Sequence, residues 1–91
     1  MFVNGLDYGK RRQHYLTLVV KDFLIENGVH GPQLIDYVSY ARKVIAEALE
    51  YGLEFLPYLL WVYERIWIKK YNVDQKILRK IEKIISSALS S

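Results

Sequence analysis

One segment in the second half of the chain is apolar in every direction around a helix. Between Phe55 and Ile68 only Glu64 and Arg65 interrupt a run of aliphatic and aromatic side chains. A surface helix of a soluble protein normally keeps a polar stripe for water, and this segment has none. Either the other helices of the domain surround it, or part of it meets another macromolecule. We expect this helix to lie at the centre of the fold.

The rest of the chain also has helical periodicity. Glycine, proline or asparagine separates four periodic segments, and no segment alternates apolar and polar residues at a period of two. The predicted helices cover about 7–27, 32–51, 56–71 and 74–88, with a proline in the first turn of the second and third. Short connections favour antiparallel neighbours. The sequence therefore predicts an all-α, compact four-helix array that forms a single domain over residues 1–91.

Apolar residues at helical spacing identify the faces that should build the core. On the first helix they are Tyr8, Tyr15, Leu16, Val19, Val20, Phe23 and Leu24. On the second helix they are Leu34, Tyr37, Val38, Ala41, Val44, Ile45, Ala48 and Leu49. On the fourth helix they are Ile77, Leu78, Ile81, Ile84, Ile85, Ala88 and Leu89. We expect Asn72 or Asp74 to cap the fourth helix, and Asn72 with Gln75 resembles a capping box.

Composition restricts the class of protein. Cysteine is absent, which excludes disulfides, thiolate metal sites and a cysteine nucleophile, and fits a reducing, cytoplasmic compartment. The residues after Met1 do not resemble a secretory signal, and the longest apolar run is shorter than the roughly 20 residues that cross a bilayer. Asparagine and glutamine are scarce while isoleucine and tyrosine are frequent, a composition that resembles thermophile proteins.

No pattern of catalytic or metal-binding residues is present in the sequence. His14 and His30 are on different elements, and neither has a partner at a metal-ligand spacing. The serines lack the glycine pattern of a nucleophile elbow, and no glycine-rich turn is suited to a nucleotide phosphate. We therefore predict a non-enzymatic protein without a metal, a cofactor or a small-molecule substrate.

Charge is distributed unevenly along the chain. Residues 1–21 carry a net charge of plus three, residues 22–64 minus five and residues 65–91 plus five. The predicted nucleic-acid-binding residues are the basic residues near the two ends: Lys10, Arg11, Arg12, Lys69, Lys70, Lys76, Arg79, Lys80 and Lys83. Those of the fourth helix share one polar arc, and such a cationic face suits a phosphate backbone. A solvated helix surface is the alternative interpretation.

Aromatic and aliphatic residues exceed what one small core needs. The predicted protein-interface residues are Leu18, Ile25, Tyr37, Tyr40, Tyr51, Tyr58, Trp61 and Trp67. Trp61 and Trp67 fall on different sides of the third helix, so one core does not easily surround both. Tyrosine and tryptophan are common in binding hot spots, although tyrosines also occur at core boundaries and stack on single-stranded bases.

Together these features lead to one principal functional hypothesis. The protein is a small helical adaptor or accessory subunit that docks on a larger protein, such as a DNA polymerase or another nucleic-acid-processing machine, and presents a basic surface to nucleic acid. The alternative is a small dimeric DNA-binding regulator of archaeal or viral type. A helix-turn-helix reader is disfavoured because residues 55–63 lack side chains that read bases. A peripheral helix at a membrane surface is a third interpretation.

Overall fold

Four α-helices make up almost all of residues 5–90, the part of the chain that the computed structural model describes; side chains are described for residues 9–90. The helices are α1 (Gly5–Glu26), α2 (Pro32–Tyr51), α3 (Leu56–Lys70) and α4 (Gln75–Ser90). A short 3-10 helix, Leu53–Phe55, precedes α3. Residues 5–90 contain no strand, which confirms the all-α four-helix array, and every helix boundary lies within two residues of the predicted one.

Glycine and proline separate the helices as their backbone properties predict. Gly28 follows the end of α1 with a φ of 82°, a left-handed conformation that glycine adopts without strain. The Asn27 side chain donates a hydrogen bond of 2.7 Å to the Phe23 carbonyl in the last turn of α1. Pro32 starts α2, where its missing N–H group costs nothing. These local signals limit both helices without help from the core.

The cap of α4 is Asp74 rather than Asn72. An Asp74 carboxylate oxygen accepts a hydrogen bond of 2.8 Å from the Lys76 backbone N–H. The Gln75 side chain does not close a capping box, because it donates a hydrogen bond of 2.9 Å to Glu64 on α3. The backbone N–H of Asp74 in turn donates to the Tyr37 hydroxyl at 2.6 Å, which attaches the start of α4 to α2.

Contacts between helices show that consecutive helices run antiparallel. Trp67, late in α3, contacts Ser39, early in α2. Arg12, near the start of α1, reaches the Ala88 carbonyl near the end of α4. The first and last helices are therefore antiparallel neighbours as well. This arrangement places the α3–α4 connection beside the start of α2.

The predicted core stripes of α1, α2 and α4 form most of the hydrophobic core. Their buried members include Leu16, Val20, Leu24, Tyr37, Ala41, Val44, Ile45, Ala48, Leu78, Ile81, Ile85 and Leu89. Tyr15 is an exception, because its side chain is exposed. The side chain of Tyr8 lies outside the described residues. The helical spacing of apolar residues thus identified the core faces correctly.

The helix at the centre is α2, and the prediction that α3 would be central is wrong. α2 packs against each of the other three helices, whereas α3 packs mainly on α2 and α4. The reason is the size of the side chains. Ala41 and Ala48 of α2 are small and fully buried, so neighbouring helices approach it from several sides. The large rings of α3 do not all fit inside so small a domain.

Candidate interaction surfaces

The outward side of α3 exposes aromatic and aliphatic side chains together with two basic groups. This surface, the α3 outer face, consists of Tyr58, Trp61, Val62, Arg65, Ile66, Ile68 and Lys69. Tyr58 is 64% exposed and Trp61 is 56% exposed. The Arg65 guanidinium lies 4.1 Å from the centroid of the Trp61 ring, a cation–π contact. An exposed tryptophan beside an arginine is the composition found in interface hot spots.

A groove of about 400 Å³ extends from Tyr58 toward the end of α2. Its lining residues are Glu47, Tyr51, Phe55, Tyr58 and Leu59. The Glu47 carboxylate accepts a hydrogen bond of 2.8 Å from the Tyr63 hydroxyl and forms a 3.0 Å ion pair with Lys43. The charge in the groove is therefore already paired within the protein, and the remaining lining is aromatic and apolar.

A second apolar surface lies on the opposite pair of helices. This α1–α2 patch consists of Leu18 and Ile25 on α1 and Ile35 on α2, all exposed. Leu18 and Ile35 line one groove of about 400 Å³ between the helices. Lys21 and Arg42 are the charged residues of that groove, and both are basic. The groove between Leu18 and Ile35 is thus apolar with a cationic border, whereas Ile25 is flanked along α1 by the exposed Asp22 and Glu26.

Five of the eight predicted interface residues are exposed. They are Leu18, Ile25, Tyr51, Tyr58 and Trp61. Their binding role stays a prediction. They belong to three distinct places in the fold: the α1–α2 patch, the groove between Tyr58 and the end of α2, and the α3 outer face. Ile35 is a residue of the α1–α2 patch that the sequence did not single out. Ile35 lies beside the predicted core stripe of α2, and this position is the feature of the sequence that could have identified it.

The other three predicted interface residues are structural, which corrects that part of the prediction. Tyr37 and Tyr40 are 2% and 0% exposed, so they lie in the core. Trp67 is partly buried, and its indole N–H donates to the Asp36 carbonyl at 2.9 Å. The Trp67 ring packs edge-on against Tyr40 and Tyr63, at 5.9 and 5.8 Å between centroids. Each of these rings is buried because its polar atom finds a partner inside the protein.

Three lysines form the cationic face of α4. Lys76, Lys80 and Lys83 are exposed; Arg79 on the same helix is exposed too, but it forms an ion pair with a buried carboxylate. Its Nε lies 2.8 Å from one Glu64 oxygen and its Nη2 lies 3.1 Å from the other. A bidentate pair of this kind uses one edge of the guanidinium, while the rest of the Arg79 side chain stays exposed. Its role in nucleic-acid binding stays a prediction.

The remaining basic residues do not join one surface. Lys69 and Lys70 are exposed at the end of α3, shortly before the start of α4. Lys10 and Arg11 are also exposed, but they lie near the other end of α4. The Arg12 guanidinium donates a hydrogen bond of 3.5 Å to the Ala88 carbonyl in the last turn of α4, where a cation also suits the helix dipole. The structure separates these two basic groups by most of the length of α4.

A carboxyl pair, Glu64 and the partly buried Glu82, links α3 and α4. Glu64 is only 4% exposed, and it accepts hydrogen bonds from Arg79 and Gln75. Burial raises the pKa of Glu82, and the nearby Glu64 carboxylate raises it further, to about 7. Burial also opposes ionisation of Glu64, but hydrogen bonds from Glu82, Arg79 and Gln75 outweigh it and hold the pKa of Glu64 below its usual range. The two carboxyl groups therefore share one proton between acidic and neutral pH.

This carboxyl pair has the pKa of an acid–base catalyst but the contacts of a structural element. A carboxyl group that titrates near neutral pH suits proton transfer. The Tyr40 hydroxyl, however, donates to Glu82 at 3.1 Å, and burial together with Glu82 raises the pKa of Tyr40 above its usual range. Glu64 is likewise occupied by Arg79 and Gln75. The pair's hydrogen bonds are thus used to join α2, α3 and α4.

Comparison with known proteins gives no relative from which a function can be transferred. No family model matches the chain, and neither a curated protein nor a solved structure matches it. No helix within residues 5–90 is both long and apolar enough to cross a membrane. Among the side chains of residues 9–90, no three histidine or acidic groups are placed to hold one metal ion. The exposed surfaces are therefore the basis for a functional proposal.

Proposed function

We propose that the protein is a non-enzymatic adaptor subunit that docks through the α1–α2 patch on a larger nucleic-acid-processing protein, such as a DNA polymerase. The observation that supports the proposal is the patch itself, in which three aliphatic side chains of neighbouring helices, Leu18, Ile25 and Ile35, are exposed. Fully burying a large aliphatic side chain contributes about 1.5 to 3 kcal/mol, and because these three are already partly covered, each can add about 1 kcal/mol. Three such side chains supply the apolar part of a stable contact.

The border of the patch indicates the chemistry of the partner. Lys21 and Arg42 line the groove beside Leu18 and Ile35, with His14 next to them. Two copies of this patch would bring like charges together, which opposes self-association through it. A partner surface with an apolar ridge and flanking aspartate or glutamate fits both features. This complementarity favours a different protein over a second copy at the α1–α2 patch.

The lysines of α4 supply the nucleic-acid part of the proposal. Lys76, Lys80 and Lys83 are exposed along one helix that does not line the patch groove. In the docked complex they would neutralise phosphates of the nucleic acid that the larger protein handles, without reading its sequence. The proposal therefore assigns the protein to DNA replication in the cytoplasm.

A co-purification experiment with matched variants tests the docking. The tagged chain is expressed in its source cells, the extract is treated with nuclease, and the bound proteins are identified by mass spectrometry. We expect the unmodified chain and Leu53→Glu to retain a nucleic-acid-processing protein, because Leu53 is exposed outside the patch. Ile35→Glu should reduce that recovery about tenfold. Equal recovery with Ile35→Glu would contradict docking through the α1–α2 patch.

A dimeric DNA-binding regulator is the second candidate, and the exposed lysines of α4 favour it. In that case the isolated protein binds DNA by itself, with an affinity that falls as salt rises. Changing Lys76, Lys80 and Lys83 to glutamate should lower the slope of log affinity against log salt by about two to three units. Lys43→Glu is the control, because Lys43 pairs with Glu47 on α2. No DNA binding even at low salt would leave the adaptor as the better proposal.

A further inference from the structure

Several exposed residues of α3 and of the 3-10 helix before it are placed symmetrically about one point in the chain. That point lies between Trp61, which is exposed, and Val62, which is half-buried, both in the first half of α3. Tyr58 lies three residues before Trp61, and Arg65 lies three residues after Val62. An aromatic ring on one side therefore corresponds to a guanidinium on the other. These two groups attract each other when they meet face to face.

The symmetry continues beyond these central residues. Glu54 lies seven residues before Trp61, and Lys69 lies seven residues after Val62; both are exposed. Phe55 and Ile68 correspond in the same way, at six residues on each side, and both are exposed apolar groups. The first of these two pairs thus combines an acid with a base, and the second combines two apolar side chains.

We propose that the α3 outer face binds the same face of a second copy of this chain in an antiparallel, two-fold symmetric dimer. A two-fold axis between Trp61 and Val62 places each residue opposite the one at the same distance on the other side of the helix. Tyr58 of one copy then lies opposite Arg65 of the other. Trp61 packs beside Val62, and Glu54 faces Lys69. This proposal does not depend on the adaptor function, because the α1–α2 patch remains free.

The charges distinguish this arrangement from a parallel one. Two parallel copies of α3 would bring Glu54 against Glu54 and Lys69 against Lys69, which is repulsive. The antiparallel arrangement converts both contacts into attractive ones and also aligns the helix dipoles favourably. In the single copy the Glu54 carboxylate lies over Gly52. Its pairing with Lys69 requires only a rotation of an exposed side chain.

Burial within the single copy supports the same choice of face. Leu59, Leu60 and Glu64 of α3 point into the domain and are buried. The residues left outside include Tyr58, Trp61 and Arg65; Ile66 is also exposed, and its counterpart at the same distance is Pro57. α3 is about 22 Å long, so one helix face gives an interface at the low end of specific contacts. We expect a dissociation constant in the micromolar range.

Sedimentation equilibrium of the purified chain over a wide concentration range tests whether the dimer forms. We expect a monomer–dimer equilibrium that Trp61→Glu weakens at least about tenfold. Tyr15→Glu is the matched control, because Tyr15 is an exposed ring on α1. Circular dichroism checks that both variants keep their helix content. A chain that stays monomeric up to about 1 mM, or a dimer that Trp61→Glu leaves unchanged, would overturn the proposal.

Charge reversal tests the antiparallel arrangement. Glu54→Lys alone places lysine opposite lysine, and Lys69→Glu alone places glutamate opposite glutamate. Each single variant should weaken its own dimer about tenfold, because the two-fold axis repeats each substitution at two sites. An equimolar mixture should restore association, since every pair in the mixed dimer is again of opposite charge. A mixture that associates no better than the separate variants would rule out this arrangement.

The two proposals fail separately. Trp61→Glu should abolish self-association and leave the partner recovery of the tagged chain unchanged, whereas Ile35→Glu should do the reverse. Loss of both properties in Trp61→Glu would show that α3 contacts the larger protein instead of a second copy. That result would overturn the dimer and leave the adaptor function standing.

Discussion

The burial of Glu64 is the opposite of what the apolar sequence of its own helix suggests. It interrupts the apolar segment of α3, and on hydrophobicity alone it would face water while its neighbours were covered. In the structure Glu64 is buried and Trp61, three residues away, is exposed. α4 explains the difference, because Arg79 and Gln75 supply hydrogen bonds that compensate for the lost hydration of the carboxylate. The partners of a buried charge thus decide its position.

The Glu64–Glu82 pair predicts how stability depends on pH. Folded Glu82 keeps its proton up to a pKa of about 7, while the unfolded chain releases it near 4.5. The unfolded state binds fewer protons between these values, so the free energy of unfolding should fall as pH rises from 4.5 to 7. Glu64 has a lowered pKa and acts below that window, where stability falls as pH decreases from 4.5. Urea unfolding at pH 3 to 8 should therefore give a maximum near pH 4.5.

Glu82→Gln separates this effect from other titrations. The amide retains a hydrogen-bond donor toward Glu64 but cannot ionise, so the decline above pH 4.5 should disappear. At pH 8 the variant should be about 1 kcal/mol more stable than the unmodified chain, since partial access to solvent weakens the repulsion that it removes. Glu50→Gln, an exposed change on α2, is the control. A Glu82→Gln curve parallel to that of the unmodified chain would contradict this assignment.

At the scale of the helices, the helix ends depend on local backbone preferences and on contacts with distant segments. Gly28, Pro32 and Gly52 lie next to helix boundaries, and the sequence located them because their backbone preferences are intrinsic. The α4 cap was ambiguous, because Asn72 and Asp74 are both suitable capping residues. Tyr37 on α2 decided between them by accepting a hydrogen bond from the Asp74 backbone N–H.

Two substitutions test the cap. Asp74→Ala should destabilise the protein by about 1 kcal/mol, because the Lys76 backbone N–H loses its acceptor at the start of α4. Asn72→Ala, two residues earlier and exposed, should change the free energy of unfolding by less than about 0.5 kcal/mol. Urea unfolding midpoints measure both. A larger loss for Asn72→Ala than for Asp74→Ala would show that the cap had been assigned to the wrong residue.

At the scale of the whole molecule, the arrangement around α2 explains why apolar surface remains outside. Four helices enclose one core, and α2 uses all of its neighbours to bury its own side chains. α3 contacts the core with Leu56, Leu59 and Leu60 and has no further helix to cover its other side. Ile35 on α2 and Leu18 on α1 are likewise left outside. A domain of this size has less interior than its apolar residues would fill.

The composition predicts high thermal stability for the intact molecule. Cysteine is absent, methionine occurs only at position 1, and amide side chains are few. Such avoidance of thermolabile residues accompanies stability at high temperature. We expect a thermal midpoint well above the 45–65 °C that is usual for mesophile domains, measured by calorimetry at several protein concentrations. A concentration-independent midpoint within the mesophile range would contradict it.

The sequence by itself determined the four helices, their boundaries and the core faces of α1, α2 and α4, because periodicity and turn residues act over a few positions along the chain. It also separated the exposed Leu18 and Ile25 from the main core stripe of α1. Only the tertiary structure decided that α2 is central, that Tyr40 and Trp67 are internal, and that Glu64 holds Arg79. These outcomes depend on which side chains from distant segments meet, and helical spacing carries no information about that.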